Sequence, residues 1–175
     1  MKTIIGIDPG NQQSGYVIVN NGTIEQSGVM ENNLLLQSLA NFEECEFPRI
    51  IAIEWIQAMG MAVGKEVFET CMWVGRFVER SGEAEIRLIP RGVIKHFHCG
   101  KTTAKDANVA QSLRDKYGQK GTKKEPGFFF GVSSHAWQAF AVAAYVMEGG
   151  GHANEILINS QRSDLSNASV EARQK

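Results

Sequence analysis

Apolar residues recur along this 175-residue chain in two rhythms. Short runs rich in β-branched residues come first, and longer stretches repeating every three to four residues follow. Residues 3–7 and 15–19 are two such short runs, separated by Pro9, Gly10 and Gly15, which predicts strand, turn, strand. Residues 23–30 predict a weaker third strand. Over residues 31–45, Leu35, Leu36, Leu39 and Phe42 fall at helical spacing. Pro48 precedes residues 49–54, a continuous apolar run of the buried-strand kind. Residues 55–64 predict a loop, and 65–81 a helix with Val67, Phe68, Cys71, Val74 and Val78 as its apolar stripe. A strand over 85–90, helices over 91–98 and 105–117, a Gly- and Lys-rich loop over 119–134 and a strong helix over 135–147 complete the series. Strands first, then strands alternating with helices, give an α/β class with helices around a mixed sheet. No repeat or boundary divides residues 1–148, so one domain is expected. Residues 149–175 turn polar and lose periodicity, which predicts a mobile tail.

Composition narrows the class. A hydrophobic content of 43% and a mean hydropathy of -0.21 are those of an ordinary soluble domain. No run approaches the roughly 20 apolar residues of a membrane span, and no basic region with an apolar core precedes the first strand. Cys45, Cys71 and Cys99 are well separated and form no C-x-x-C, against both a disulfide framework and a zinc knuckle. The expected setting is a reducing cytoplasm. Net charge is only -1, but it is unevenly spread. Residues 1–90 hold 12 acids and 6 bases, whereas residues 91–124 hold 9 bases against Asp106 and Asp115. Such an excess suits a solvated helix face or the footprint of a polyanion. Its spread over loop, helix and loop favours the polyanion.

Two carboxylates stand out against this pattern. Asp8 is the only charged residue from Thr3 to Asn20 and ends the first strand. It either caps the turn that Pro9-Gly10 makes or serves as a metal ligand or catalytic acid. Glu54 ends the run Ile50-Ile51-Ala52-Ile53 as Asp8 ends Ile4-Ile5-Gly6-Ile7. It either pairs with a surface base or joins Asp8 at the C-terminal edge of a sheet, where open α/β sheets place their sites. Like charges there repel unless a cation lies between them, and a few hard oxygen ligands suit Mg²⁺.

Together these residues resemble a family. Ile5-Gly6-Ile7-Asp8-Pro9-Gly10 with Gly15, then Ala52-Ile53-Glu54, a basic stretch, and His135-Ala136-Trp137-Gln138-Ala139-Phe140-Ala141 are similar to RuvC-type Holliday junction resolvases. The phage-encoded branch is the one most resembled, through Ala104-Lys105-Asp106-Ala107-Asn108-Val109 and Gly121-Thr122-Lys123-Lys124-x-Pro126-Gly127. The resemblance covers roughly residues 3–148. It implies an RNase H-like fold with a mixed five-stranded sheet flanked by helices, a homodimer, and Mg²⁺-dependent cutting of four-way DNA junctions. It also implies metal contacts from Asp8, Glu54 and His135, with the position of Gln138, three residues on, as the fourth.

Gln138 departs from the family, which usually has Asp there; it keeps an oxygen but loses a charge. Two ions around a scissile phosphate need carboxylates to hold them, so the second site should bind Mg²⁺ poorly, with Mn²⁺ as a substitute that imidazole suits better. The alternative is a resolvase-like protein that grips branched DNA with weak or no cleavage. For the DNA itself, Lys101, Lys105, Lys120, Lys123 and Lys124 are expected on phosphates. Trp55, Met59 and Met61 lie where the family carries an apolar wedge, and are either that wedge or core and dimer contacts. Phe128, Phe129 and Phe130 are read as packing under the last helix rather than stacking on bases. The helix over 65–81 matches the family's dimer helix.

Overall fold

The computed structural model describes residues 3–41, 49–57, 60, 62–151 and 155–158. A mixed sheet of the five expected strands forms its centre, in the order β3-β2-β1-β4-β5, with a two-residue strand, β6, on the β5 edge. Strands β1 (Thr3–Asp8), β2 (Gln13–Asn20) and β3 (Thr23–Glu31) form an antiparallel meander. Strand β4 (Arg49–Trp55) lies parallel to β1, and β5 (Glu85–Pro90) parallel to β4. Strand β6 (Ile156–Leu157) pairs antiparallel to β5, so chain beyond residue 149, expected as tail, joins the sheet at this point. The remainder of that expected tail, 159–175, lies outside the described residues.

Strand parity sorts the side chains into two cores. Successive strand residues point to opposite faces. Ile4, Ile50 and Ala52 face α5 (Ala136–Met147), over which α3 (Arg91–Cys99) and α4 (Asp106–Tyr117) also pack. Ile5, Ile7, Ile51 and Ile53 face the other way, toward α1 (Asn32–Asn41) and α2 (Lys65–Arg80). Helix α5 is buried on almost every side, which explains its run of alanines. Gly6 lets it come close: a Cβ there would sit 2.1 Å from the Ala139 carbonyl oxygen and 2.9 Å from the Ala143 Cβ.

Several expectations change. Helix α1 is described from Asn32 to Asn41, and the remainder of the expected helix falls outside the described residues. In α2 the buried residues are Thr70, Val74 and Phe77, whereas Phe68 of the expected stripe is 65% exposed. The sheet is reached by a narrower face than a stripe starting at Val67 implies. Trp55 is not in a loop; it ends β4 opposite Pro90 and packs partly buried against the core on the α1 and α2 side. Phe129 is fully buried and meets Trp137 and Phe140, while Phe128 stacks on Tyr117, so packing explains two of the three phenylalanines. Phe130 is exposed. Among the described residues no helix is long and apolar enough to cross a membrane.

Candidate active site

The same parity puts both strand-end carboxylates on one face. Asp8 continues the series Ile4, Gly6, and Glu54 the series Ile50, Ala52, so both point to the α5 side. The pairing of Ile7 with Ile53 brings them level at the ends of neighbouring parallel strands. Both are buried, Asp8 at 7% and Glu54 at 6% exposure. Burial lifts the pKa of Asp8, against the pull of its hydrogen bond to His135 and the nearby positive charges. Burial, and next the Asp8 charge, lift that of Glu54 to about 7 even though Arg91 opposes them.

The turn behind Asp8 is fixed by a buried polar set. Ser14 Oγ donates to Asn32 Oδ1 at 2.6 Å, Asn32 Nδ2 donates to the Gly10 carbonyl at 2.9 Å, and the Gly10 N–H reaches Ser14 Oγ at 3.3 Å. Ser14 and Asn32 are each 1% exposed. Satisfied in this way, they hold the Asp8-Pro9-Gly10 backbone in one shape.

His135 is not inside the last helix as expected but caps it, because the helix begins at Ala136. The residue before it, Ser134, has φ 48, a left-handed conformation uncommon for a residue other than glycine. From there His135 Nδ1 lies 2.8 Å from Asp8 Oδ2. The fit depends on Gly15, the partner of Asp8 across β2: a Cβ on it would stand 2.4 Å from the His135 carbonyl oxygen. Gln138 lines an open cleft of about 430 Å³ together with Asp8, Arg91, Asp106, Ser134 and His135. The structure therefore brings Asp8, Glu54, His135 and Gln138 to one end of the sheet.

Two further residues, Arg91 and Asp106, belong to this centre, and sequence reasoning raised neither as a site residue. Arg91 donates through Nη1 to Glu54 Oε1 at 2.5 Å and through Nη2 to Asp106 Oδ2 at 2.6 Å. Lys95 Nζ is 3.2 Å from the other Asp106 oxygen. Burial pushes the Asp106 pKa up, but these two cations outweigh it and hold it below the ordinary value. Arg91 had a legible signal: it follows the end of β5, as Asp8 ends β1 and Glu54 lies one residue before the end of β4. Asp106 was legible only as part of the motif at 104–109.

The donor chemistry fits a divalent cation at the strand ends. Asp8 and Glu54 are hard oxygen donors, close and mutually repelling, and each is met by a nitrogen donor, His135 and Arg91, which supplies the partner a buried carboxylate needs. As they stand, no three His, Cys, Asp or Glu side chains among the described residues form a ligand set, and Arg91 bridges Glu54 and Asp106. Gln138 adds no charge for a second ion.

Of the expected DNA contacts, Lys101, Lys105, Lys120, Lys123 and Lys124 are all exposed, Lys105 as the residue before α4. Trp55 is half-buried against the core, and Met59 and Met61 lie outside the described residues.

No family model matches the chain, and no curated protein does. Solved structures do match in fold. One is the RuvC of Thermus thermophilus, 18% identical, with a TM-score of 0.60 over 85% of this chain and 97% of that one. Another is the T. thermophilus RuvC in complex with a Holliday junction substrate, 15% identical, with a TM-score of 0.62 over 86% of this chain and 98% of that one. The fold is thus RuvC-like, within the RNase H-like class.

Proposed function

We propose that this protein is a structure-selective endonuclease that cuts four-way or other branched DNA by metal-dependent phosphodiester hydrolysis. The observation that carries the reading is the level placement of Asp8 and Glu54 on the α5 face, with His135 bonded to Asp8. The fold it shares with a protein solved on a Holliday junction supports the substrate class. Asp8 and Glu54 would hold Mg²⁺ or Mn²⁺, with His135 and the Gln138 oxygen at the second position. A bound ion would supply an activated water and neutralise charge on the phosphate. The chain's own residues do the remainder: Asn32 and Ser14 fix the Asp8 turn, α5 carries His135 and Gln138 to the cleft, and exposed lysines hold the DNA backbone. The motifs at 104–109 and 121–127 favour the phage-encoded branch of the family. The exposed apolar residues Phe68 and Met72 on α2 favour a homodimer, whose two-fold symmetry matches a junction.

A junction that is bound and not cut is the second reading, favoured by the neutral Gln138 in the cleft. Incubation with a synthetic four-way junction in Mg²⁺ or Mn²⁺ separates the two. The nuclease cuts, and Asp8→Asn lowers the rate by about 100-fold or more, since partners behind metal ligands already cost about 10–100-fold. Gln138→Asp raises cleavage. Tight binding without cutting in either metal supports the second reading, and no binding at moderate salt sinks both.

A further inference from the structure

We propose that Arg91 is a positioning residue that competes with the divalent cation for Glu54, and that a DNA phosphate draws it off. The inference rests on the nuclease reading above. Its basis is the fork itself: one guanidinium bridges carboxylates from two elements, Glu54 at the end of β4 and Asp106 at the start of α4. Arg91 opens α3 directly after β5, the parallel neighbour of β4, so the topology delivers it to the strand-end acid.

The two ends of the fork differ. The Glu54 side chain is 8% exposed and fixed at a strand end, whereas those of Arg91 and Asp106 are 42% and 44% exposed. Of the Glu54–Arg91 pair, the solvent-accessible partner is therefore Arg91. Releasing it leaves Asp106 partnered, because Lys95 holds its other oxygen at 3.2 Å. Releasing it from Glu54 leaves a buried carboxylate beside Asp8 with no cation, which is unfavourable unless a metal takes that place. Release of Arg91 and arrival of the metal are thus linked. The anion that next suits the guanidinium is a phosphodiester, which matches its planar fork. Arg91 already lines both openings that reach Asp8. Linkage is reciprocal: if DNA frees Glu54 for metal, metal frees Arg91 for DNA by the same factor.

The test is Mn²⁺ binding to the full chain by calorimetry, alone and with a four-way junction carrying non-cleavable linkages. Without DNA, Arg91→Ala should bind Mn²⁺ roughly tenfold tighter than the native chain, a size usual for coupled sites. The junction should narrow that gap, since it removes the competitor only where one exists. Arg91→Lys, whose single ammonium cannot bridge both acids, should tighten Mn²⁺ by a smaller factor and covers the case in which Arg91→Ala does not fold. A residue that merely braces the fold would leave Mn²⁺ affinity equal or weaker in a folded variant, and that result overturns the proposal. Equal Mn²⁺ binding by all three proteins overturns this inference alone. No Mn²⁺ binding by any of them removes the nuclease reading beneath it.

Discussion

At Glu54, burial and the Asp8 charge lift the pKa from 4.5 to about 7. Between those values the folded protein keeps a proton that the unfolded chain has released. The resulting stability is full below the lower value, declines as pH rises through the window, and is gone above the upper one. The metal-free protein should therefore unfold at lower urea at about pH 8 than at about pH 5. Glu54→Gln, which cannot ionise, should show a smaller decline; Asp8 is shifted the same way and keeps part of it. Equal declines in urea midpoint would remove Glu54 as the source. The metal would reverse the balance, since it binds the ionised form. At this scale the sequence singled out Asp8 and Glu54, which the fold brings level on one face of the sheet. It did not show Arg91 and Asp106 as their partners, because the bridge joins residues 37 and 15 positions apart.

At the scale of elements, the site depends on how closely α5 lies on the sheet. Gly6 and Gly15 are the two strand positions where that helix or its cap leaves no room for a Cβ. Gly6→Ala meets a backbone carbonyl that cannot yield, and should destabilise by about 1–3 kcal/mol or more, measured by urea unfolding. Gly15→Ala should push His135 away from Asp8 and lower junction cleavage by more than its loss of stability explains. Helix α2 makes a different point. Its inner face is Thr70, Val74 and Phe77, while Phe68 and Met72 lie one turn apart on the outside. Phe68→Asp should leave stability within about 0.5 kcal/mol, as surface changes do, and convert a dimer to monomer in sedimentation velocity. The helix itself was legible in its periodicity. Which part of its apolar surface faces inward was not, because exposed apolar residues such as Phe68 and Met72 recur at the same helical spacing as the buried ones.

For the whole molecule, charge is the quantity that matters. Residues 1–90 carry twice as many acids as bases and residues 91–124 carry 9 bases against 2 acids, so the net charge of -1 hides a separation along the chain. Junction binding should weaken with salt. Replacing Lys120, Lys123 and Lys124 together by Ala should lower the slope of log affinity against log salt by about 0.9 for each phosphate that these lysines neutralise. An unchanged slope would remove this loop from the DNA footprint. The edge strand β6 shows the converse at this scale. Its two residues pair with β5, a long-range contact that local periodicity does not encode.

The amino-acid sequence by itself determined the alternation of strands and helices, the α/β class, and the two acids that close apolar runs. Those features are local: they follow from side-chain spacing, turn residues and the cost of a lone charge among apolar neighbours. The tertiary structure decided what meets those acids. The parallel register sets Asp8 level with Glu54, the left-handed Ser134 aims His135 at Asp8, and the step from β5 into α3 lays Arg91 across Glu54 and Asp106. A carboxylate at a strand end is written in the chain. Whether a metal or an arginine balances it depends on which strand lies alongside, and only the folded sheet sets that order.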